Sequence, residues 1–312
     1  MAYSQGGLIA ASDYNGFVNG SNQLNTVWST GTGNAGYGQT AISAVSGSGL
    51  VTATQWASLI NTLNSVLTHQ SGSGSGISGS ITSGQTINYL STLSTNVNTA
   101  YTNRSNFASQ GSTTTGSVFS PNFTAVNGAT AQTYTITRTA TFSSGDAARY
   151  FFNAGGQLNF IFTSTTVGDG TARSTDLQTL ISTNLVSYPA FRSATGGGRS
   201  GTGGTVNTNA TNIGYYQLTT TNQTLTQITS TTSGYTGDYV ILAVKSNGVQ
   251  GAHADVGSVI TFTVTIYSAA RTDPTLGAQF NDSINITPNH RIDVVYPETT
   301  NLTNTWGTVT IA

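Results

Sequence analysis

The chain has no cysteine, which excludes disulfide staples and thiolate metal sites. Charge is nearly absent as well. Charged residues make up 6% of its 312 residues, where a soluble domain carries about 25%. Lys245 is the only lysine and Glu298 the only glutamate. A formal net charge of -1 gives no electrostatic grip on nucleic acid or on anionic lipid. No stretch has the length and apolarity to span a bilayer. The opening, MAYSQGGLIA, has neither the basic region nor the apolar run of a secretory signal, so synthesis in a cytoplasm without secretory export is expected.

Ser, Thr, Asn and Gln fill the polar positions, beside 37 glycines. Hydrophobic residues at 36% and aromatics at 9% suffice for a core, and wholesale disorder would pair low hydrophobicity with high net charge. A neutral polar surface hydrogen-bonds water but offers little repulsion between copies. Such a surface suits an ordered assembly better than a freely diffusing enzyme.

The periodicity divides the chain in two. Residues 1–110 read as a helical docking or assembly region. Tyr14, Phe17, Val18, Leu24, Val27 and Trp28 fall at helical spacing behind Ser12-Asp13. Trp56, Leu59, Ile60, Leu63, Val66 and Leu67 form the clearest stripe, with Thr52 and Gln55 at capping-box spacing. A third helix is predicted from about Gln85 to Arg104, again behind a Thr82–Gln85 box. With few charged pairs to support them, these helices need packing partners. Tyr14, Phe17, Trp28, Trp56, Leu59 and Leu63 are accordingly candidates for an interface between subunits.

Gly111 to Gly116 reads as a junction, after which the period changes to two. Alternating segments at 134–142, 158–162, 260–266, 284–286, 292–296 and 309–311, and the apolar run at 239–244, predict short strands. The expected fold class is α+β: a small helical N-terminal region followed by a mainly antiparallel β-sandwich over 111–312. A helix inserted at about 174–188, capped by Ser174 and stopped by Pro189, interrupts the strands. The Gly/Thr/Asn-rich stretch 193–212 reads as a long flexible loop.

Material for chemistry is sparse. Asp169, Asp238, Asp255 and Asp273 could supply a carboxylate pair, though loop aspartates ordinarily serve turns. His253 and Asp255 could face one side of a strand and hold an ion, against the ordinary reading of a polar loop between Gly251 and Gly257. The Gly72–Gly76 pattern (GSGSG) follows a helix rather than a strand, and Gly196–Gly204 lacks the ending of a phosphate-binding loop. No catalytic, cofactor or metal residue is therefore assigned. Tyr215, Tyr216 and Tyr235 are candidate glycan contacts, since exposed tyrosine beside Asn and Thr can stack on sugar rings.

Several ordered segments resemble structural proteins of tailed bacteriophages, especially cyanophage virion and tail-fibre-like proteins. They are Ile9-Ala10-Ala11-Ser12-Asp13-Tyr14-Asn15, Asn25-Thr26-Val27-Trp28, Gly36-Tyr37-Gly38-Gln39-Thr40, Thr52-Ala53-Thr54-Gln55-Trp56 with Leu59, His69-Gln70, and the run from Ala148 to Leu158 around Asn153-Ala154-Gly155-Gly156. Within the last, Ala154-Gly155-Gly156 reads as a hairpin turn between aromatic strands. The resemblance implies a place in the virion, assembled in a host cytoplasm, and a role in tail, baseplate or fibre. It implies no catalytic residue. The expected partners are copies of the chain, as a trimer, and other tail or baseplate proteins. The alternatives are a receptor-binding protein for host-surface glycan and a capsid decoration or neck protein.

Overall fold

A computed structural model describes residues 10–47, 49–125, 130–250, 257–271 and 282–312. His253, Asp255 and Asp273 lie outside the described residues, and with them the candidate ion site. The fold is α+β, with helices gathered at the N-terminus and two antiparallel sheets after them, whose strands are interrupted by further helices at Gly145–Asn153 and Ala172–Ser182.

The N-terminal apolar periodicity forms two helices rather than one, α1 (Ala11–Val18) and α2 (Leu24–Trp28). The break falls at Gly20, whose φ of 144° no other residue adopts readily. Helix α3 (Ala53–Ser71) begins as its sequence predicts. The Gln55 N–H donates to Thr52 Oγ1 at 3.2 Å, and the Thr52 N–H donates to Gln55 Oε1 at 2.9 Å. Gly72, left-handed at φ 80°, ends it. Helix α4 (Leu90–Thr102) starts later than its periodicity suggests. The Thr82–Gln85 box closes only a turn, with the Thr82 N–H donating to Gln85 Oε1.

The helix stripes face one another. Tyr14, Phe17, Trp56, Leu59 and Leu63 are all at most 2% exposed within the single chain. The Trp56 ring meets Tyr14 at 5.9 Å and Phe17 at 6.2 Å. Trp28 is half-buried against the same core, its indole N–H donating to the Thr40 carbonyl. Tyr14, Phe17, Trp56, Leu59 and Leu63 form an interior with Trp28 packed on its side, which corrects the expectation that these five meet a neighbouring subunit. Each stripe is already covered from within.

The junction at Gly111–Gly116 is not a linker. Strand β1 (Gln110–Thr114) begins there and pairs antiparallel with the end of β10 (Ile284–Pro297), while β2 (Phe123–Ala125) pairs with its start. The segments around Ile284 and Ile292 are thus one long strand, irregular between Asn289 and His290. On its other side β10 pairs with β4 (Gln157–Val167), and β4 pairs with β5 (Ser187–Phe191). The second sheet runs β11 (Thr310–Ile311), β3 (Gln132–Thr141), β9 (Val259–Ser268), β8 (Tyr239–Ser246), β7 (Gln223–Thr229) and β6 (Thr205–Asn209). The two sheets pack through Phe160 and Phe191, whose rings lie 5.8 and 5.6 Å from Phe262.

Two further differences have physical causes. Residues 145–153 form helix α5 (Gly145–Asn153), capped by Ser144, instead of an aromatic strand. Ala154-Gly155-Gly156 is its exit turn rather than a hairpin. Helix α6 (Ala172–Ser182) takes Thr171 as its cap and ends before Pro189, which lies inside β5. The Ser174 hydroxyl instead accepts the Asn285 N–H. The stretch 193–212, expected as a flexible loop, is built into the fold. It supplies β6, and its residues 197–200 run along β5, the Ser200 N–H donating to the Ser187 carbonyl and the Gly197 N–H to the Pro189 carbonyl.

Candidate functional site

The helical region meets the sandwich along a buried polar seam. His69 and Glu298 face each other across it, Nδ1 to Oε1 at 2.8 Å, both buried. Glu298 Oε2 also accepts the Thr300 and Asn301 backbone N–H groups at 2.6 and 3.0 Å. Burial pushes the His69 pKa down, and the Glu298 carboxylate only partly restores it. Burial pushes Glu298 up, but the hydrogen bonds from Asn301, His69 and Thr300 outweigh it and leave its carboxyl below the ordinary value. The pair is therefore a neutral imidazole donating from Nδ1 to a carboxylate.

Next to it, Gln39 Oε1 accepts the Thr303 N–H at 3.0 Å, and Gln39 Nε2 donates to the Thr303 carbonyl at 2.9 Å. The Gly36-Tyr37-Gly38 loop fits between the two parts. At Gly38 (φ 72°) a Cβ would stand 2.3 Å from the Tyr150 ring. From the other side, Arg149 donates to the Ala35 carbonyl and Asn153 Nδ2 to the Gly36 carbonyl at 3.0 Å. Residues 36–39, His69 and 149–153 thus converge on this seam.

Of the aspartates weighed for catalysis, Asp169 and Asp238 lie among the described residues, and each is taken up in structural hydrogen bonds. Asp169 accepts from Thr171 and Ser283 at a turn. Asp238, with no exposed surface, accepts from Ser268 Oγ at 2.8 Å, the Ala269 N–H at 2.9 Å and Arg271 at 2.5 Å. Among the described residues no three His, Cys, Asp or Glu are grouped to hold a metal, and no helix is long and apolar enough to cross a membrane.

The candidate glycan tyrosines are not a shared surface. Tyr215 has no exposed area and stacks on Phe152 at 4.6 Å, so its ring has no face to offer a sugar. Tyr216 is half-buried, donating to Asn153 Oδ1 at 2.8 Å. Tyr235 lies elsewhere, under the Arg271 guanidinium at 4.1 Å.

Sequence reasoning missed the sheet edges. Among the described residues, one edge of the first sheet is covered along its length, while the remaining edges are covered in part or not at all. In the first, β5 is closed by Pro189 and by residues 197–200 laid along it. Its opposite edge, residues 110–125, contains no charged residue, and all five residues of β1 are exposed. Val118 and Phe119 on that edge are 50% and 41% exposed. In the second, β11 covers only Ala140 and Thr141 of β3, whose remaining edge carries Arg138, whereas β6 (TVNTN) is uncharged and exposed except at Thr208, with Val206 42% exposed. Exposed strand edges are ordinarily blunted by lysine, proline or a covering segment. Charge absence over 110–116 and 205–209 is visible in the sequence, but only the topology makes these stretches edges. No protein-family model, curated protein or solved structure matches the chain.

Proposed function

We propose that the chain is a non-enzymatic structural component of a tailed-phage particle, in its tail, baseplate or attached fibre. It acts by joining copies of itself and neighbouring virion proteins through the two open, uncharged sheet edges. The observation that carries this reading is that neither the 110–125 edge nor β6 holds a single charged residue. An edge of that kind is a template for an added strand. The internally covered helix stripes shift docking from the helical region to the sandwich. The resemblance of segments 9–40, 52–70 and 148–158 to virion proteins supplies the place.

Sedimentation of the purified chain tests the assembly, and mass spectrometry of purified virions tests the place. Self-association is expected, with a closed trimer as the first species. Val206→Lys combined with Thr113→Lys should return the chain to a monomer without changing its melting behaviour, since both positions are exposed. A wild-type chain that stays monomeric at high concentration and is missing from virions would overturn the reading.

A further inference from the structure

An open cleft of about 570 Å³ lies at the end of the seam, lined by Gln70, Phe107, Gly155, Arg192, Ser193 and Thr195 among others. Arg192 sits over the Phe107 ring, 5.2 Å from its centroid. That ring also packs on Gly155, left-handed at φ 90°, where a Cβ would come within 2.5 Å of it. Among the described residues the Arg192 side chain makes no hydrogen bond or ion pair, and its Nε is buried without a partner. Arg104, Arg149, Arg173, Arg199, Arg271 and Arg291 are all held by carboxylates, carbonyls or side-chain oxygens, while Arg138, also without a hydrogen bond among the described residues, lies over the Phe119 ring at 4.9 Å and does not line this cleft.

Gln70, only 4% exposed, lines the same cleft. Its Nε2 donates to Tyr37 Oη at 3.0 Å and to the Ala100 carbonyl at 2.8 Å, which fixes the amide orientation. Its Oε1 is buried and has no partner. A buried donor or acceptor left unpaired costs about 1–3 kcal/mol, so the cleft holds two unmet demands of opposite kind. Arg192 needs an anionic acceptor, and Gln70 Oε1 needs a donor. Hydrogen phosphate carries both an acceptor and a donor but is far too small to fill a cleft of about 570 Å³, and a neutral sugar has no charge for Arg192. A nucleotide would need an aromatic face, but the Phe107 ring is already packed by Arg192 and Gly155.

We infer that this cleft binds an acidic saccharide, with a uronic-acid carboxylate on Arg192 and a ring hydroxyl donating to Gln70. Ser193 and Thr195 line the same cleft and add hydroxyl groups to its wall. The inference does not depend on whether the chain assembles through its sheet edges.

Titrating the full chain with tri-galacturonate, neutral tri-galactose and inorganic phosphate, by calorimetry and by amide chemical shifts, tests it. Tri-galacturonate should bind, moving amide signals at 192–195 and 105–107. Arg192→Gln should weaken it about tenfold or more, and Arg192→Lys less. Phosphate binding as tight as tri-galacturonate would reduce the site to an anion site and overturn the saccharide. Equal binding of tri-galactose, shifts confined to other residues, or no binding by the wild-type chain would each overturn it too. The shift map on the wild-type chain keeps the test valid even if an Arg192 variant fails to fold.

Discussion

The helical region and the sandwich are held by different chemistry. Before residue 111 the only charged side chains are Asp13 and Arg104; all the others follow. The helical region instead uses apolar stripes and neutral amides. Asn15 both donates to the Val45 carbonyl and accepts its N–H, at 2.7 and 2.8 Å. Asn25 does the same for Ile42, at 2.8 and 2.9 Å. Each asparagine mimics a strand partner for a chain segment that has none. In the sandwich the charges go inside: Arg149, Arg173 and Asp238 have no exposed surface, and Asp176, Asp293 and Glu298 little. Low charge content therefore understates how neutral the outside is. Neutral amides tether the helical loops with a small desolvation cost, whereas the sandwich depends on buried charges that cannot lose a partner.

The sharpest way to break this contrast is to unpair a buried charge. Asp238→Ala leaves Arg271 without its carboxylate and should destabilise by about 3–5 kcal/mol in denaturant unfolding. An effect below 1 kcal/mol would mean that the sandwich does not depend on this pair. In the helical region the comparable loss comes from packing. Leu63→Ala should cost about 2–5 kcal/mol, followed by the same unfolding measurement. Thr52→Ala, which removes the α3 cap, should cost about 1 kcal/mol and show in helical circular dichroism before the sandwich melts. Acid gives the shallowest effect. Burial lowers the pKa of both His69 and His290 below the ordinary 6.5, so the unfolded chain takes up protons there before the folded one. Their contribution is complete above pH 6.5 and declines as pH falls below it. The depressed Glu298 carboxyl holds until lower pH, losing its contribution only as pH falls through its folded value. His69→Gln with His290→Gln should flatten the melting-temperature slope between pH 7 and 5.5; an unchanged slope would assign it to other groups.

Much of the fold can be read from local pattern. Helix α3 has both a stripe and a capping box, and β3, β8 and β9 alternate or run apolar over eight to ten residues. Helix α5 was hidden because Tyr150, Phe151 and Phe152 favour strands locally, although Ser144 offered a cap. Strands β1 and β6 have no apolar rhythm; long-range pairing with β10 and β7 makes them strands. The cleft was invisible for a related reason. Gln70, Phe107, Gly155 and Arg192 come from four distant segments, and no motif joins them. The helix stripes were read correctly as apolar faces but given the wrong partner, because periodicity says that a face must be covered and not by what.

The uncharged borders β1 and β6 give the molecule two edges at which a further strand can join. If copies meet with β1 against β6, a simple two-fold pair cannot use that contact, because the two borders differ. Head-to-tail addition then proceeds until the last copy meets the first, and only a closed circle leaves neither of these borders bare. Subunits of this kind would count themselves: the angle between the two borders fixes how many complete the turn.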